Sequence, residues 1–235
     1  NSKIYICMVF LDNKMIFLLP PKCGTSSFVS LLKDSPKFDS DLIKKQDKGR
    51  HMHLSHMLRK FDINLQDFKI YQLCRHPLNR LISSFYYHKT VISKDINNPF
   101  SIITEYNKTY KFNEFLELVL PIIISNKSKK EINAFVSWNR TIAKDFQVGH
   151  MFYKPQIGWN DLNINIEYLK LEDLMQDTSK LFPILGEDTP KKYPLKNNNK
   201  KPEKPKIPIL EIFTKQTLEL AYEAYEQDFK ILGYK

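Results

Sequence analysis

Short apolar runs separated by polar turns occupy the first third of the chain and predict strands that alternate with helices. Residues 4–10 and 15–19 are β-prone runs, and Asp12 and Asn13 between them predict a turn into a neighbouring strand. Residues 69–74 form a similar run and predict a second core strand. This order of elements is typical of an α/β domain with a parallel sheet.

Apolar residues at helical spacing predict two helices beside these strands. Phe28, Leu31 and Leu32 give one apolar face to a helix that follows the run at 15–19. A second helix begins at Pro77, a residue that suits the first helical turn. Its apolar stripe consists of Leu78, Leu81, Ile82 and Phe85. At about 100° per residue, Ser83 lies roughly 140° from the first residue of the stripe and is free to face something other than the core.

The second half of the chain gives three further predictions. Residues 112–124 predict a helix that stops near Pro121, and residues 209–232 predict one closing helix. Residues 164–174 predict a late strand that runs into a helix.

Length and composition predict one domain. The chain has 235 residues, of which 42% are hydrophobic, enough for one sizeable core, so a single domain over residues 1–235 is expected. No apolar stretch reaches the roughly 18 residues of a membrane span. Asn1 does not begin a signal peptide, because polar residues interrupt the first apolar runs. We therefore expect a catalytic segment without a membrane span, from which an anchor was removed.

The charge balance favours anionic ligands. Lysine and arginine exceed aspartate and glutamate, 36 against 26, which gives a net charge of +10. Such a surface attracts anions and holds them less well as salt rises. A polyanionic cofactor, an acidic glycan, an acidic peptide and nucleic acid all satisfy this condition. The three cysteines, Cys7, Cys23 and Cys74, indicate neither a disulfide framework nor a zinc site, and no metal is expected.

Residues 20–28, Pro-Pro-Lys-Cys-Gly-Thr-Ser-Ser-Phe, connect the predicted strand at 15–19 to the first predicted helix. Loop amides and a helix N-terminus together favour an anion. Gly24 lets the backbone come close to a ligand, and Lys22 adds a positive charge. Hydroxyl donors come from Thr25, Ser26 and Ser27. The pattern predicts a phosphate or sulfate site, although a plain turn with a helix cap also produces it.

The same loop is not a Walker loop. That motif needs a second glycine followed by a lysine, whereas here Lys22 precedes Gly24, which is the loop's only glycine. An ordinary ATP or GTP site is therefore disfavoured.

A second candidate anion site follows the strand predicted at residues 69–74. Arg75, His76 and Pro77 come directly after that strand, and Ser83 lies eight residues beyond Arg75. A guanidinium recognises phosphate in a planar, bidentate manner, which suits an arginine at a strand end.

Three of the six histidines, His51, His53 and His56, fall within six positions. No nearby acidic or cysteine partner completes a metal site, and the spacing suits no common zinc motif. Considered alone, the cluster also fits surface histidines in a loop.

Taken in chain order, these segments resemble the sulfotransferases that use 3′-phosphoadenosine 5′-phosphosulfate (PAPS). Residues 22–27, Lys-Cys-Gly-Thr-Ser-Ser, look like the family's 5′-phosphosulfate loop. Arg75 to Ser83 looks like its 3′-phosphate motif, with His76 in place of the usual aspartate. Residues 149–156 resemble the His…Pro-Gln segment of some carbohydrate sulfotransferases. Residues 171–174, Leu-Glu-Asp-Leu, resemble the family's late Glu-Asp-Leu segment, although Glu172 and Asp173 also suit any first helical turn.

The resemblance implies a single α/β domain with a P-loop-like central parallel sheet flanked by helices. It implies PAPS as donor and adenosine 3′,5′-bisphosphate (PAP) as product. The 5′-phosphosulfate would be held by Lys22, Cys23, Gly24, Thr25, Ser26 and Ser27. The 3′-phosphate would be held by Arg75 and Ser83, and Lys22 would also stabilise the departing nucleotide oxygen. A lysine of the basic stretch 196–206 would close over the cofactor, but no residue match identifies it.

Within the family, residues 51–55, His-Met-His-Leu-Ser, look most like the heparan sulfate 2-O-sulfotransferase type. By this resemblance, His53 is the leading general base and His51 its neighbour. A neutral imidazole whose pKa is near working pH suits the removal of a proton from a sugar hydroxyl.

The expected acceptor is therefore a glycan, and the net charge favours an acidic polysaccharide. Tyrosyl-protein and small-molecule acceptors use the same chemistry and stay open. A nucleotide kinase is disfavoured by the order of lysine and glycine in the loop. A nonenzymatic binder of nucleic acid or glycan leaves the spacing of Arg75 and Ser83 without a purpose, and nucleic acid is not expected as a partner. The compartment stays undetermined: the Golgi lumen if an anchor precedes this sequence, otherwise the cytoplasm.

Overall fold

The structure is a computed structural model that describes residues 7–10, 12–38, 54–90, 110–127, 153–186, 193–194 and 208–235. The chain divides into two compact units. The first contains Asn1–His76 and Gln156–Asn199, and the second contains Pro77–Pro155 and Lys200–Lys235. Residues 20–28 and Arg75 belong to the first unit, whereas Ser83 belongs to the second.

The first unit is built on a four-stranded sheet with the strand order β1-β2-β3-β4. β1 (Cys7–Phe10) and β2 (Met15–Leu18) pair antiparallel, and β3 (Lys69–Cys74) and β4 (Glu167–Lys170) continue from β2 in parallel. The predicted α/β class is confirmed. The sheet is mixed because so short a turn between β1 and β2 permits only antiparallel pairing.

The helices of the described ranges are, in chain order, α1 (Thr25–Asp34), α2 (Leu54–Phe61), α3 (Pro77–Thr90), α4 (Phe112–Lys127), α5 (Leu171–Gln176), α6 (Phe182–Leu185), α7 (Ile209–Ile212), α8 (Lys215–Ala224) and α9 (Glu226–Leu232). The first and third of them, α1 and α3, lie where the sequence predicted them, whereas α2 was not predicted. The predicted start of α3 at Pro77 is confirmed, and the four residues of its apolar stripe are buried. None of these described helices is long and apolar enough to cross a bilayer.

Alternate side chains of the strands supply an apolar layer on each face of the sheet. On one face, Phe17 lies among the rings of Phe10, Phe28 and Tyr71, at centroid distances of 5.9, 5.3 and 5.4 Å. The opposite face is packed by Val9, Ile16, Leu18, Ile70 and Leu54. Both faces are buried, as is usual for the parallel part of an α/β sheet.

The described part of the second unit is helical and contains buried side-chain hydrogen bonds. Arg80 is only 2% exposed, and its Nη1 donates a hydrogen bond of 2.8 Å to the carbonyl of Lys154. The Tyr225 hydroxyl donates to the carbonyl of Tyr153 at 2.7 Å. Burial raises the pKa of Tyr225, so this donor keeps its proton. The backbone around residues 153–154 is thus fixed by buried donors from α3 and from the start of α9.

Two predictions for the second unit were wrong. Helix α4 does not stop at Pro121 but continues to Lys127, because burial of Ile123 beyond the proline offsets the hydrogen bond that the proline removes. The predicted closing helix is three helices. Thr214 caps α8 by accepting a hydrogen bond from the N–H of Thr217, and Tyr225 has a non-helical φ of −110°.

Gly24 ends the connection from β2 to α1 and is the N-cap residue of α1, with φ +83° and ψ 14°. A Cβ at this position would lie 2.5 Å from Leu171 Cδ1 and 3.3 Å from the Tyr193 hydroxyl oxygen. Tyr193 also donates a hydrogen bond of 3.2 Å to the Gly24 carbonyl. Close packing against the protein, as well as the positive φ, therefore requires glycine here.

We expect Gly24→Ala to lower the free energy of unfolding by about 2–4 kcal/mol, because strain at a positive φ adds to overpacking against Leu171. Adding Leu171→Ala removes the colliding methyl groups, so the double variant should be more stable than the sum of the two losses by about 1 kcal/mol or more. Urea denaturation of the two single variants and the double variant measures this coupling.

Gly186→Ala is the matched control. Gly186 also has a positive φ, +100°, but nothing lies within 4 Å of its Cβ position. Its effect should simply add to that of Leu171→Ala. Additive losses for Gly24→Ala and Leu171→Ala would show that the collision does not exist in solution.

Candidate anion-binding site

Two chain segments meet at one edge of the sheet in the first unit. β2 and β3 are parallel neighbours, with Leu18 opposite Gln72, so their carboxyl ends lie side by side. The loop that follows β2 leads into α1, and the turn that follows β3 contains Arg75 and His76. Open α/β sheets bind ligands at this edge.

The loop after β2 turns sharply back on Pro20. Lys22 and Gly24 have φ values of +67° and +83°. The Cys23 N–H donates a hydrogen bond to the Pro20 carbonyl at 3.4 Å, and the Thr25 hydroxyl donates to the same carbonyl at 3.1 Å. These contacts fix the path of the backbone into the first turn of α1.

The start of α1 presents unpaired donors. The Gly24 carbonyl accepts hydrogen bonds from the N–H groups of Ser27 and Phe28, at 3.0 and 3.1 Å, so the helix begins there. The N–H groups of Gly24, Thr25 and Ser26 donate to no acceptor within the described part of the chain. Adjacent unpaired amides at the positive end of a ten-residue helix favour a bound anion.

The predicted binding residues of this loop fall into two groups. Lys22, Gly24 and Ser26 are partly exposed. The other group, Cys23, Thr25 and Ser27, has 0%, 8% and 7% exposure. Within this buried group, the Thr25 hydroxyl donates to the Pro20 carbonyl, and the Cys23 thiol donates to Gln156 Oε1 at 3.0 Å. The side chains of Cys23 and Thr25 thus stabilise the loop, whereas Lys22, Gly24 and Ser26 are partly accessible to a ligand.

Arg75 joins the turn after β3 to the loop after β2. Its Nη1 donates a hydrogen bond of 3.1 Å to the carbonyl of Lys22. One residue of the second predicted anion site, Arg75, is therefore in direct contact with the first predicted site. The guanidinium adds a positive charge beside the loop that leads into α1.

Gln156 holds both segments through one side-chain amide. Its Oε1 accepts hydrogen bonds from the Arg75 N–H, at 2.8 Å, and from the Cys23 thiol, while its Nε2 donates to the Arg75 carbonyl at 2.7 Å. Gln72 from β3 donates to the Gln156 carbonyl at 2.8 Å. Gln156 is fully buried, and its side-chain amide is satisfied at both ends.

Glu172 and Tyr193 complete the framework from the late part of the chain. Glu172 Oε1, in the first turn of α5, accepts a hydrogen bond of 3.0 Å from the His76 N–H. Burial, with a smaller contribution from Cys23, raises the pKa of Tyr193, so its hydroxyl stays protonated and donates to Gly24. In the family motif that this turn resembles, His76 stands in place of the usual aspartate, and here a carboxylate reaches the turn from Glu172.

Ser83, His51 and His53 are not among the described residues of the first unit. Ser83 is partly exposed on α3 of the second unit, beside the fully buried Ser84. His51 and His53 lie outside the described residues. The chain immediately after them is anchored: the Ser55 N–H donates to Asp161 Oδ1 at 2.8 Å, and the Ser55 hydroxyl donates to the other carboxylate oxygen.

Sequence reasoning missed the roles of four residues in this framework. Gln156 lies in the Pro-Gln segment and Glu172 in the Glu-Asp-Leu segment that resemble family motifs, so the sequence contained a signal for both residues. Tyr193 and Asp161 had no local signal, because their partners lie more than 100 residues away in the chain.

Within the described ranges, no group of three or more histidine, cysteine, aspartate or glutamate residues is arranged to hold a metal ion. A sequence model of the sulfotransferase family matches residues 7–235 and thus spans both units. No curated protein and no solved structure matched the chain. Lys22 and Arg75, one residue from each of two resembling motifs, are in contact at the sheet edge. The chain belongs to the sulfotransferase family and is an enzyme that transfers sulfur-containing groups.

Proposed function

We propose that this enzyme moves the sulfuryl group of PAPS to a hydroxyl of a glycan by in-line displacement, with His53 as general base. The observation that carries the proposal is the contact between the loop after β2 and Arg75, made by the 3.1 Å hydrogen bond to the Lys22 carbonyl. The family match over both units supports a single catalytic domain over residues 1–235.

The residues at the sheet edge fit a nucleotide with anionic groups at both its 5′ and 3′ positions. The unpaired amides of Gly24, Thr25 and Ser26, together with the Lys22 ammonium, suit the 5′-phosphosulfate. The Arg75 guanidinium suits the 3′-phosphate, and Ser83 joins it by the family resemblance. When bound, PAPS supplies an activated sulfuryl group.

Lys22 is assigned the role of stabilising the departing oxygen. Lys22 is a partly exposed residue of the loop that follows β2. Negative charge develops on the oxygen that leaves sulfur only as the bond breaks, so a lysine beside it stabilises the transition state more than the ground state.

His53 is assigned the role of general base. A sugar hydroxyl is a poor nucleophile at neutral pH, and a neutral imidazole accepts its proton as attack begins. The next residue in the chain, Leu54, is fully buried, and Ser55 is bound to Asp161. The base is thus proposed at the residue directly before a helix whose first two residues are held by the protein, and His51 is its neighbour in the chain.

The acceptor is proposed to be an acidic polysaccharide. The chain carries a net charge of +10, which attracts anionic polymers and should make acceptor binding weaken with salt. The pattern of residues 51–55 supports a glycan over a tyrosyl-protein or a small molecule, because it resembles the heparan sulfate 2-O-sulfotransferase type.

Arg75→Ala should weaken PAP binding by about tenfold to a hundredfold, the value of a lost charge-assisted hydrogen bond. Binding of adenosine 5′-monophosphate (AMP), which lacks the 3′-phosphate, should change much less. Isothermal titration calorimetry with PAP, AMP and ATP measures these affinities, and the wild-type enzyme should prefer PAP to ATP.

Arg59→Ala is the matched control, because Arg59 is exposed on α2 of the same unit and has the same charge. It should leave all of these dissociation constants unchanged. An Arg75→Ala variant that binds PAP like the wild type would remove Arg75 from the 3′-phosphate site.

His53→Ala should lower kcat by about 10²- to 10⁴-fold, the usual contribution of a general base, with little change in the PAP dissociation constant. The assay follows transfer of labelled sulfate from PAPS to a panel of defined glycans, a tyrosine peptide and a phenol. Transfer to the glycans is the expected outcome.

His51→Ala and His56→Ala separate the base from its neighbours. If His53 is the base, His51→Ala should cost less than His53→Ala, and His56→Ala should cost little. Full turnover by His53→Ala would refute the assignment, and the largest loss in His51→Ala would transfer it to His51.

A further inference from the structure

The side-chain amide of Gln156 forms hydrogen bonds with two separate segments of the site, the turn at Arg75 and the loop at Cys23. Oε1 accepts from the Arg75 N–H at 2.8 Å and from the Cys23 thiol at 3.0 Å, and Nε2 donates to the Arg75 carbonyl at 2.7 Å. We infer that Gln156 is a positioning residue that sets Arg75 at a fixed place relative to the Lys22–Ser27 loop, so that both ends of one nucleotide are gripped together. This inference rests on the proposed function.

The geometry requires a residue that both donates and accepts. The carboxamide pairs with the N–H and the carbonyl of Arg75 at once, which fixes the orientation of that peptide backbone as a cyclic pair of hydrogen bonds. The third bond, to Cys23, reaches across to the neighbouring loop. A carboxylate lacks the donor, and a methionine of similar size lacks both the donor and a strong acceptor.

Gln156 is itself held from behind. Gln72 is 0% exposed in β3 and donates to the Gln156 backbone carbonyl at 2.8 Å. Since β3 is paired on both sides, by β2 and β4, this support is a rigid one. The carboxamide therefore holds Arg75 and Cys23 at fixed positions relative to the sheet.

Positioning and simple structural support predict different outcomes for ligand selectivity. A residue that only stabilises the fold lowers the melting temperature but leaves the contribution of the 3′-phosphate to binding unchanged. A residue that aims Arg75 changes that contribution. The ratio of the AMP and PAP dissociation constants isolates it, because the two ligands differ only in the 3′-phosphate.

We expect Gln156→Met to lower this AMP-to-PAP ratio by about tenfold, since a misplaced guanidinium loses most of a charge-assisted hydrogen bond. Isothermal titration calorimetry gives the ratio, and circular dichroism with thermal unfolding verifies that the variant is folded. Gln66→Met is the matched control: Gln66 is exposed in the 3-10 turn Leu65–Asp67 of the same unit, and its variant should keep the wild-type ratio.

A folded Gln156→Met variant with the wild-type ratio would overturn the inference. Should that variant not fold, Gln156→Asn keeps a buried amide that is one methylene too short for its partners, and the same criterion applies to it. A wild-type enzyme that does not prefer PAP to AMP would instead refute the proposed 3′-phosphate site, so the two failures are distinguishable.

Discussion

The parallel pairing of β2 with β3 is the constraint on which the site depends. Their register sets Leu18 opposite Gln72, so the two strands end at the same edge and deliver the Lys22 loop and Arg75 side by side. A slip of one residue would turn every β3 side chain to the opposite face of the sheet. Gln72 would then no longer reach the Gln156 carbonyl, and the carboxamide that joins the two segments would lose its support.

The segments at this edge are irregular, and irregular backbone needs partners for its N–H and carbonyl groups. Some of these partners come from α5, which follows β4 directly in the chain. Because β4 pairs with β3, α5 begins beside the turn that follows β3. Glu172 then binds the His76 N–H, and Leu171 closes against Gly24. Strand order and loop geometry are thus coupled: the late strand is needed for the sheet and also for the shape of the early loop.

Sequence patterns predicted the elements well where local rules decide the outcome. The β3 bounds, the start of α3 at Pro77 and the helix after Gly24 follow from periodicity and from proline at a first turn. The path of α4 through Pro121 did not, because burial of Ile123 outweighed one missing hydrogen bond. The hydrogen bonds of Tyr193 and Asp161 with distant residues could not be predicted either. Each depends on which distant residues the sheet brings together, and spacing along the chain does not contain that information.

The loop contains a buried group and a partly exposed group of residues, and this division explains why so short a motif indicated the family. The Cys23 thiol donates to Gln156 and the Thr25 hydroxyl donates to Pro20, so these two side chains stabilise the shape of the loop. In the proposed site the anion is therefore bound chiefly by backbone amides, which every residue type except proline carries. What the sequence must specify is the backbone path itself, through a glycine that fits against Leu171 and small polar residues that fold back on the loop. In the proposed mechanism Lys22 is the exception, because it places a full positive charge at the departing oxygen, which no backbone amide carries.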